Sequence, residues 1–217
     1  MDIDTRYKGI VSNYDNYTYH ILGCGAIGSA AAIQIARMGG KEFFLYDMDR
    51  VSIENVGVSQ YNLLDVEKRK VDALKRHLED INEVKVTAVH GEFKQYQPQG
   101  SDIIVLGFDS MQARLDATTN VLKYKQPEYI IDGRMGAEHY QQYTFKKPTM
   151  KKYLTSWYSD EEGSEEPCNS KATAYCSSFS GVMIANTIRK ICAEQPYQGK
   201  FSFNFPTMML EKSRNIS

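Results

Sequence analysis

The chain has no stretch approaching the roughly 18 consecutive apolar residues of a membrane-spanning helix, so no membrane partner is expected. It also lacks charge of one sign: 26 Lys and Arg stand against 27 Asp and Glu. Without a basic field, no nucleic-acid partner is expected. Cysteine is sparse. Cys24, Cys168, Cys176 and Cys192 include no Cys-x-x-Cys and no close Cys/His pair, so no zinc is expected. Such thiols fit a reducing cytoplasm. Residues 1–7 are polar and acidic rather than basic and then apolar, so no secretory signal is expected. There are no internal repeats and no low-complexity tracts.

What is present is enough apolar material, 42% of 217 residues, for one α/β core. A buried strand is predicted at 19–23, then an Ala- and Ile-rich helix over 26–38, stopped by Gly39 and Gly40. Further strands are predicted at 42–46, 84–89, 102–108 and 129–132. Val71, Leu74, Leu78 and Ile81 recur at helical spacing and predict an amphipathic helix over 66–81. Met111, Leu115 and Leu122 mark another helix. This alternation predicts a doubly wound, mostly parallel α/β sheet of Rossmann-like type. After Gly133 the pattern changes. Residues 138–145 read as a half-wet strand and 146–169 as a polar, irregular crossover. A last helix runs over about 172–193, and 201–210 read as terminal strand interrupted at Pro206. Antiparallel strands are thus expected at the C-terminal end. The whole, 1–217, reads as one domain, with its core at about 15–135 and a helix and strands over 170–217.

Gly23-Cys24-Gly25-Ala26-Ile27-Gly28 matches Gly-x-Gly-x-x-Gly between a predicted strand and a predicted helix, the context in which the motif binds phosphate. Gly23 permits the turn, Gly25 lets the backbone approach an anion, and Gly28 lets the helix pack on the sheet. The helix N-terminus, from Ala26 and Ile27, offers free N–H groups to a phosphate. Asp47 ends the second strand, where an acid holds a ribose hydroxyl. The motif leaves both NAD and ATP open.

The segment after Asp47 decides between them. Asp47-Met-Asp49, Val51 and Asn55 are followed by Lys70 at a helix start, then by Ile103-Ile-Val-Leu-Gly-Phe-Asp109 with Arg114 five residues on. Over about 15–135 this ordered set resembles the ThiF/HesA/MoeB superfamily, which includes ubiquitin-activating enzymes and activators of sulfur-carrier proteins. The resemblance implies ATP and Mg²⁺ as cofactors and adenylation of the C-terminal carboxylate of a small ubiquitin-like or sulfur-carrier protein. It implies nucleotide contacts from Gly23, Gly25, Ala26, Ile27, Gly28, Asp47, Asp49, Gln60 and Lys70. Asn55 and Lys70 would meet the phosphates, and Asp109 would hold Mg²⁺. The residues also have plainer uses: Lys70 as a solvated helix charge, Asn55 as a turn cap, Asp109 as a helix N-cap beside Ser110, and Asp49 as a local structural acid.

The match breaks at two places. The arginine of the family's Asn-Leu-x-Arg-Gln is replaced in register by Val58, and a glycine three residues before the lysine is Glu67. The first removes a cation and the second brings a negative charge toward the expected phosphates. In some relatives a partner subunit supplies an arginine; Arg6 is the candidate here, and it would imply a homodimer. Cys168, just before the last helix, is the candidate acyl acceptor, favoured by the helix dipole and Lys171 and opposed by Glu165 and Glu166. Cys176 and Cys192 read as small core residues. Trp157, Tyr153 and Tyr158 either dock a partner or pin the crossover. His20, His77, His90 and His139 are scattered and carry no expected chemistry. The competing readings are a non-catalytic nucleotide- or partner-binding relative and an NAD-dependent oxidoreductase. The latter lacks a visible substrate domain.

Overall fold

The computed structural model describes residues 3, 5–162 and 172–213. Its central strands are β1 (Thr18–Leu22), β2 (Glu42–Asp47), β3 (Lys85–His90), β4 (Asp102–Leu106) and β5 (Tyr129–Gly136). All but the edge strand β3 are largely buried, and β1 and β4 read as near-continuous buried runs, as central parallel strands do. Odd-numbered residues such as Ile21, Leu45 and Val105 pack with Val71, Leu74 and Ile188. Even-numbered ones such as Leu22, Tyr46 and Leu106 pack with Ala117, Val121 and Tyr153. The first layer is α1 (Ala26–Arg37), α3 (Lys70–Glu79) and α6 (Ala174–Cys192); the second is α4 (Met111–Tyr124) and α5 (Met150–Leu154). A one-turn helix, α2 (Ile53–Val56), follows β2.

Three strands complete the sheet: β6 (His139–Lys146), β7 (Lys200–Asn204) and β8 (Met209–Ser213). The order is β3-β2-β1-β4-β5-β6-β7-β8, parallel as far as β5 and antiparallel beyond it. The doubly wound sheet with antiparallel strands at its C-terminal end is therefore as the sequence implies. Because the crossover from β1 goes to β2 and β4 lies on the other side, the carboxyl ends of β1 and β4 diverge. That gap is the switch point where open α/β sheets bind ligands.

Several boundaries differ from the sequence-based expectation. The helix expected over 66–81 begins at Lys70. Glu67 is left-handed (φ 67°) and Arg69 is extended, so the amphipathic pattern starts before the backbone can follow it. The polar stretch after residue 146 contains α5, capped by the Thr149 side chain accepting from Lys152 N–H. The terminal strand is a hairpin, β7 paired with β8. No described helix is long and apolar enough to cross a membrane.

Candidate active site

The glycine loop lies between β1 and α1, and close backbone packing sets its shape. Gly23 is left-handed (φ 87°), and a Cβ there would meet Gly107 and Phe108 backbone at 2.9 Å. A Cβ on Gly28 would stand 1.9 Å from the Gly23 carbonyl oxygen, so α1 touches the strand end directly. A Cβ on Gly25 meets nothing within 4 Å: that position opens onto space. Gly107, just past β4, closes the same packing from the other side, with Gly23 O 2.9 Å from its would-be Cβ.

Gly23, Gly25 and Gly107 floor a cavity of about 500 Å³ at the switch point. Its walls carry Gly23, Gly25, Tyr46, Asp47, Met48, Asp49, Lys70, Glu92, Phe93, Gly107, Phe108, Asp109 and Asp116, among others. That volume is within the usual range for small-molecule sites, roughly 300–1,000 Å³. Of the expected residues, the fold thus brings Gly23, Gly25, Asp47, Asp49, Lys70 and Asp109 into one cavity.

Asp47 is fixed on both oxygens. Oδ2 accepts from Cys24 N–H at 2.7 Å and Oδ1 from Asp49 N–H at 2.8 Å. Burial raises its carboxyl above the ordinary range, while Lys70 and the two N–H donors pull the other way. Lys70 is nearly buried and its Nζ lies 2.8 Å from Asp49 Oδ2, so Asp49 aims the ammonium at the cavity rim. Lys70 N–H also donates to Asp49 O at 3.0 Å. Asp109 is exposed on the cavity wall one residue before the α4 cap, which is Ser110 accepting from Ala113 N–H at 3.3 Å.

Other expected residues lie apart from the cavity wall. Asn55 accepts from Ser52 N–H at 3.0 Å, in a capping box at α2. Gln60 N–H donates to Ser29 Oγ at 3.2 Å, which ties the segment after α2 to α1. Tyr61 OH reaches the Cys24 carbonyl at 2.6 Å and fixes the glycine loop from behind. Ala26 and Ile27 open α1, with Ile27 buried in the core. Val58 is half-buried, its N–H on Asn55 O at 3.2 Å. Glu67 lies in the turn before α3, its carbonyl accepting from Arg50 Nη1 at 2.5 Å, and it does not line the cavity. Arg6 is exposed, next to Tyr7, whose hydroxyl bonds Arg37 O in the last turn of α1, the end away from the glycine loop. Cys168 lies outside the described residues.

The structure shows functional geometry that the sequence reading did not. Gly107 is one case; a glycine closing an apolar run before Asp109 was its only signal. The crossover is another. Arg114, Asp132 and Arg134 are all buried, and Asp132 joins them, Oδ1 with Arg114 Nη1 and Oδ2 with Arg134 Nη2 at 2.7 Å. Arg114 also donates to the Phe108 carbonyl beside Asp109. Arg134 donates to Ser156 O at 2.6 Å and lies between the rings of Tyr143 and Tyr158. Trp157 Nε1 donates to Met111 O at 2.9 Å, and Asp160 accepts from Met111 N–H at 2.7 Å. The aromatic cluster therefore pins the crossover to the start of α4. The three described cysteines are buried, and burial pushes the Cys176 and Cys192 thiols up to about 12 and raises that of Cys24 well above its ordinary value.

A doubly wound sheet with a glycine-floored cavity at its switch point defines a Rossmann-type nucleotide-binding architecture. Within that class the chain belongs to the ThiF family, whose model matches residues 11–216. It is 33% identical over 119 residues to the tRNA threonylcarbamoyladenosine dehydratase of Bacillus subtilis (strain 168), which covers 52% of this chain and 47% of that protein. It is 28% identical over 136 residues to ubiquitin-like modifier-activating enzyme 5 of Branchiostoma floridae, covering 52% of this chain and 33% of that one. The matches thus span about half, or less, of those curated relatives' length. Among solved structures, Escherichia coli MccB superposes with a TM-score of 0.74 at 19% identity, over 92% of this chain and 62% of that chain. MccB with ATP gives 0.72 at 18%, over 92% and 64%. At such identities the likeness is one of fold.

Proposed function

We propose that this protein binds ATP with Mg²⁺ in the switch-point cavity and adenylates a carboxylate, that of the C-terminus of a small ubiquitin-like or sulfur-carrier protein. One observation carries the reading: the open backbone at Gly25, the Lys70 ammonium and the Asp47 and Asp109 carboxylates line one cavity. Gly25 and the start of α1 receive phosphate oxygens, Lys70 offsets their charge, and Asp47 takes the ribose hydroxyls. Asp109, an exposed oxygen donor with no hydrogen-bond or ion-pair partner among the described residues, fits a hard cation that takes its other ligands from phosphates and water. Bound Mg²⁺ would supply charge neutralisation at those phosphates. The carboxylate attacks the α-phosphorus, the bond to pyrophosphate breaks, and the acyl-adenylate forms. Everything the chain does in that step is positioning and charge stabilisation. The cavity wall carries five carboxylates (Asp47, Asp49, Glu92, Asp109 and Asp116) against Lys70. A second cation therefore helps, and Arg6 of a partner in a homodimer is our candidate for it. Cys168 is our candidate for taking the acyl group as a thioester.

Calorimetric titration with ATP plus Mg²⁺, and separately with NAD, tests the reading. ATP is expected to bind, and Asp109→Ala to weaken it by about tenfold or more. Binding of NAD alone would sink it. Pyrophosphate exchange with a carrier protein, and thioester formation lost in Cys168→Ser, test the later steps. Because the Bacillus subtilis relative is named for a modified tRNA nucleoside, a carboxylate carried on tRNA is the second substrate to try in the same exchange assay.

A further inference from the structure

Glu92 and Phe93, part of the cavity wall, belong to the stretch 91–101, which has no helix or strand of its own. Backbone without ladder bonds keeps a fixed shape only where side chains hold it. Asp102, the first residue of β4 and 1% exposed, does so here. Its carboxylate accepts from Gln99 N–H at 3.0 Å, from Gly100 N–H at 3.4 Å and from the Tyr96 hydroxyl. His20 Nε2 lies 3.4 Å from its other oxygen. Tyr96 and His20 are sealed from solvent. The His20 ring stacks on Phe44 and Tyr46, and Tyr96 meets it edge-on at 5.1 Å. Tyr46 in turn meets Phe93 edge-on at 4.9 Å. The cluster therefore begins at the loop's anchor and ends at the cavity wall.

A carboxylate taken from water is costly unless fully bonded, and apolar residues would pack β1 against β4 equally well. What the polar trio adds is a fixed course for 91–101. We propose that His20, Asp102 and Tyr96 are a positioning unit: they hold the 91–101 loop as the rigid wall of the cavity and so set its nucleotide affinity. This rests on reading that cavity as the ATP site. None of the three lines the cavity, so they act through Glu92 and Phe93.

Tyr96→Phe keeps the ring and removes the donor to Asp102. The control is Thr187→Val, which removes a buried 2.8 Å bond from Gln142 between α6 and β6. Two readouts are compared: amide exchange of 91–101 without ligand, and the Kd for ATP with Mg²⁺. Tyr96→Phe is expected to speed exchange in 91–101 and weaken ATP binding, each by about five- to tenfold, the effect of one lost hydrogen bond. Thr187→Val is expected to lower Tm and change neither. Unchanged exchange in Tyr96→Phe, or the same changes in Thr187→Val, would overturn the proposal. If the wild type takes no ATP, the reading of the cavity falls, and ligand-free exchange still decides the anchoring. Should Tyr96→Phe fail to fold, His20→Phe, which keeps a ring against Phe44 and removes the Nε2 contact to Asp102, takes the same two readouts with the same expectation.

Discussion

Glu67 occupies backbone that side chains avoid, with φ at 67°, although neither its N–H nor its carbonyl needs a side chain to bond as they do with Val51 and Arg50. A left-handed residue with a Cβ costs roughly 1–2 kcal/mol, which glycine avoids at some loss of chain entropy. Glu67→Gly is therefore expected to stabilise the fold by about 1 kcal/mol net. Chemical denaturation checks it, and an unchanged or lower midpoint would remove strain as the account of this position. The same residue shows how far a sequence carries. Its departure from the family's glycine is visible at once, but Glu67 is exposed and does not line the cavity, which the sequence does not tell. The chain direction at 67–69 turns on one dihedral that no periodicity encodes. Lys70 and Asp109 are legible because each sits at an element's end, where local pattern fixes position. The buried trio of His20, Tyr96 and Asp102 is not, because residues up to 82 apart in sequence meet only once β1 and β4 pair.

At the scale of elements, the three motif glycines separate into different jobs. Gly28 is where α1 rests on β1; a methyl there would meet the Gly23 carbonyl at 1.9 Å, and the obstacle is backbone that cannot swing aside. Gly25 faces open space at φ −77°, a value any residue adopts. Gly28→Ala is expected to destabilise by several kcal/mol, about 3 or more, or to prevent folding, as overpacking against backbone does. Gly25→Ala is expected to leave Tm within about 2 °C and to weaken ATP binding, because its methyl fills the close approach that a phosphate needs. Equal loss of Tm in both would show that Gly25 is a folding residue and not part of a binding surface. The strand and helix sequence from β1 to β5 is readable because buried runs and helical spacing are local. The crossover is less so: α5 is five residues long, and its place depends on Ser156, Trp157 and Asp160 finding partners on β5 and α4.

Across the whole molecule, three carboxylates tie irregular segments to the sheet's helices and strands, and all three are held below their ordinary 3.8. Asp65 is opposed by burial, but bonds from Asn62 N–H and His77, with the charge of Arg76, outweigh it and fix the segment before α3. Asp102 is likewise opposed by burial and held down by His20, Tyr96 and Gln99 N–H, fixing 91–101. Asp160 is held down first by Met111 N–H, then by Gln112 N–H and Ser110, fixing the crossover to α4. A carboxyl whose folded value is depressed contributes stability above its unfolded value and loses it as pH falls toward the folded one. Asp47 runs the other way: burial raises it, so its protonation favours the folded state and offsets part of the loss. With these three and the exposed Glu54 held down and Asp47 raised, the net expectation is that Tm falls as pH drops from about 5 to about 3. Exchange in 62–68, 91–101 and 156–162 should rise before exchange in β1, β4 and β5. Gly91, Glu92 and Phe93 line the cavity, and the other two segments are tied to α3 and α4, whose Lys70 and Ala113 also line it, so nucleotide binding should fade before the sheet unfolds. A Tm that is flat or rises over that interval would mean that the three carboxylates do not hold these segments in place. Loss of sheet protection together with the loops would instead give the molecule a single cooperative unit, with no separable rim around its cavity.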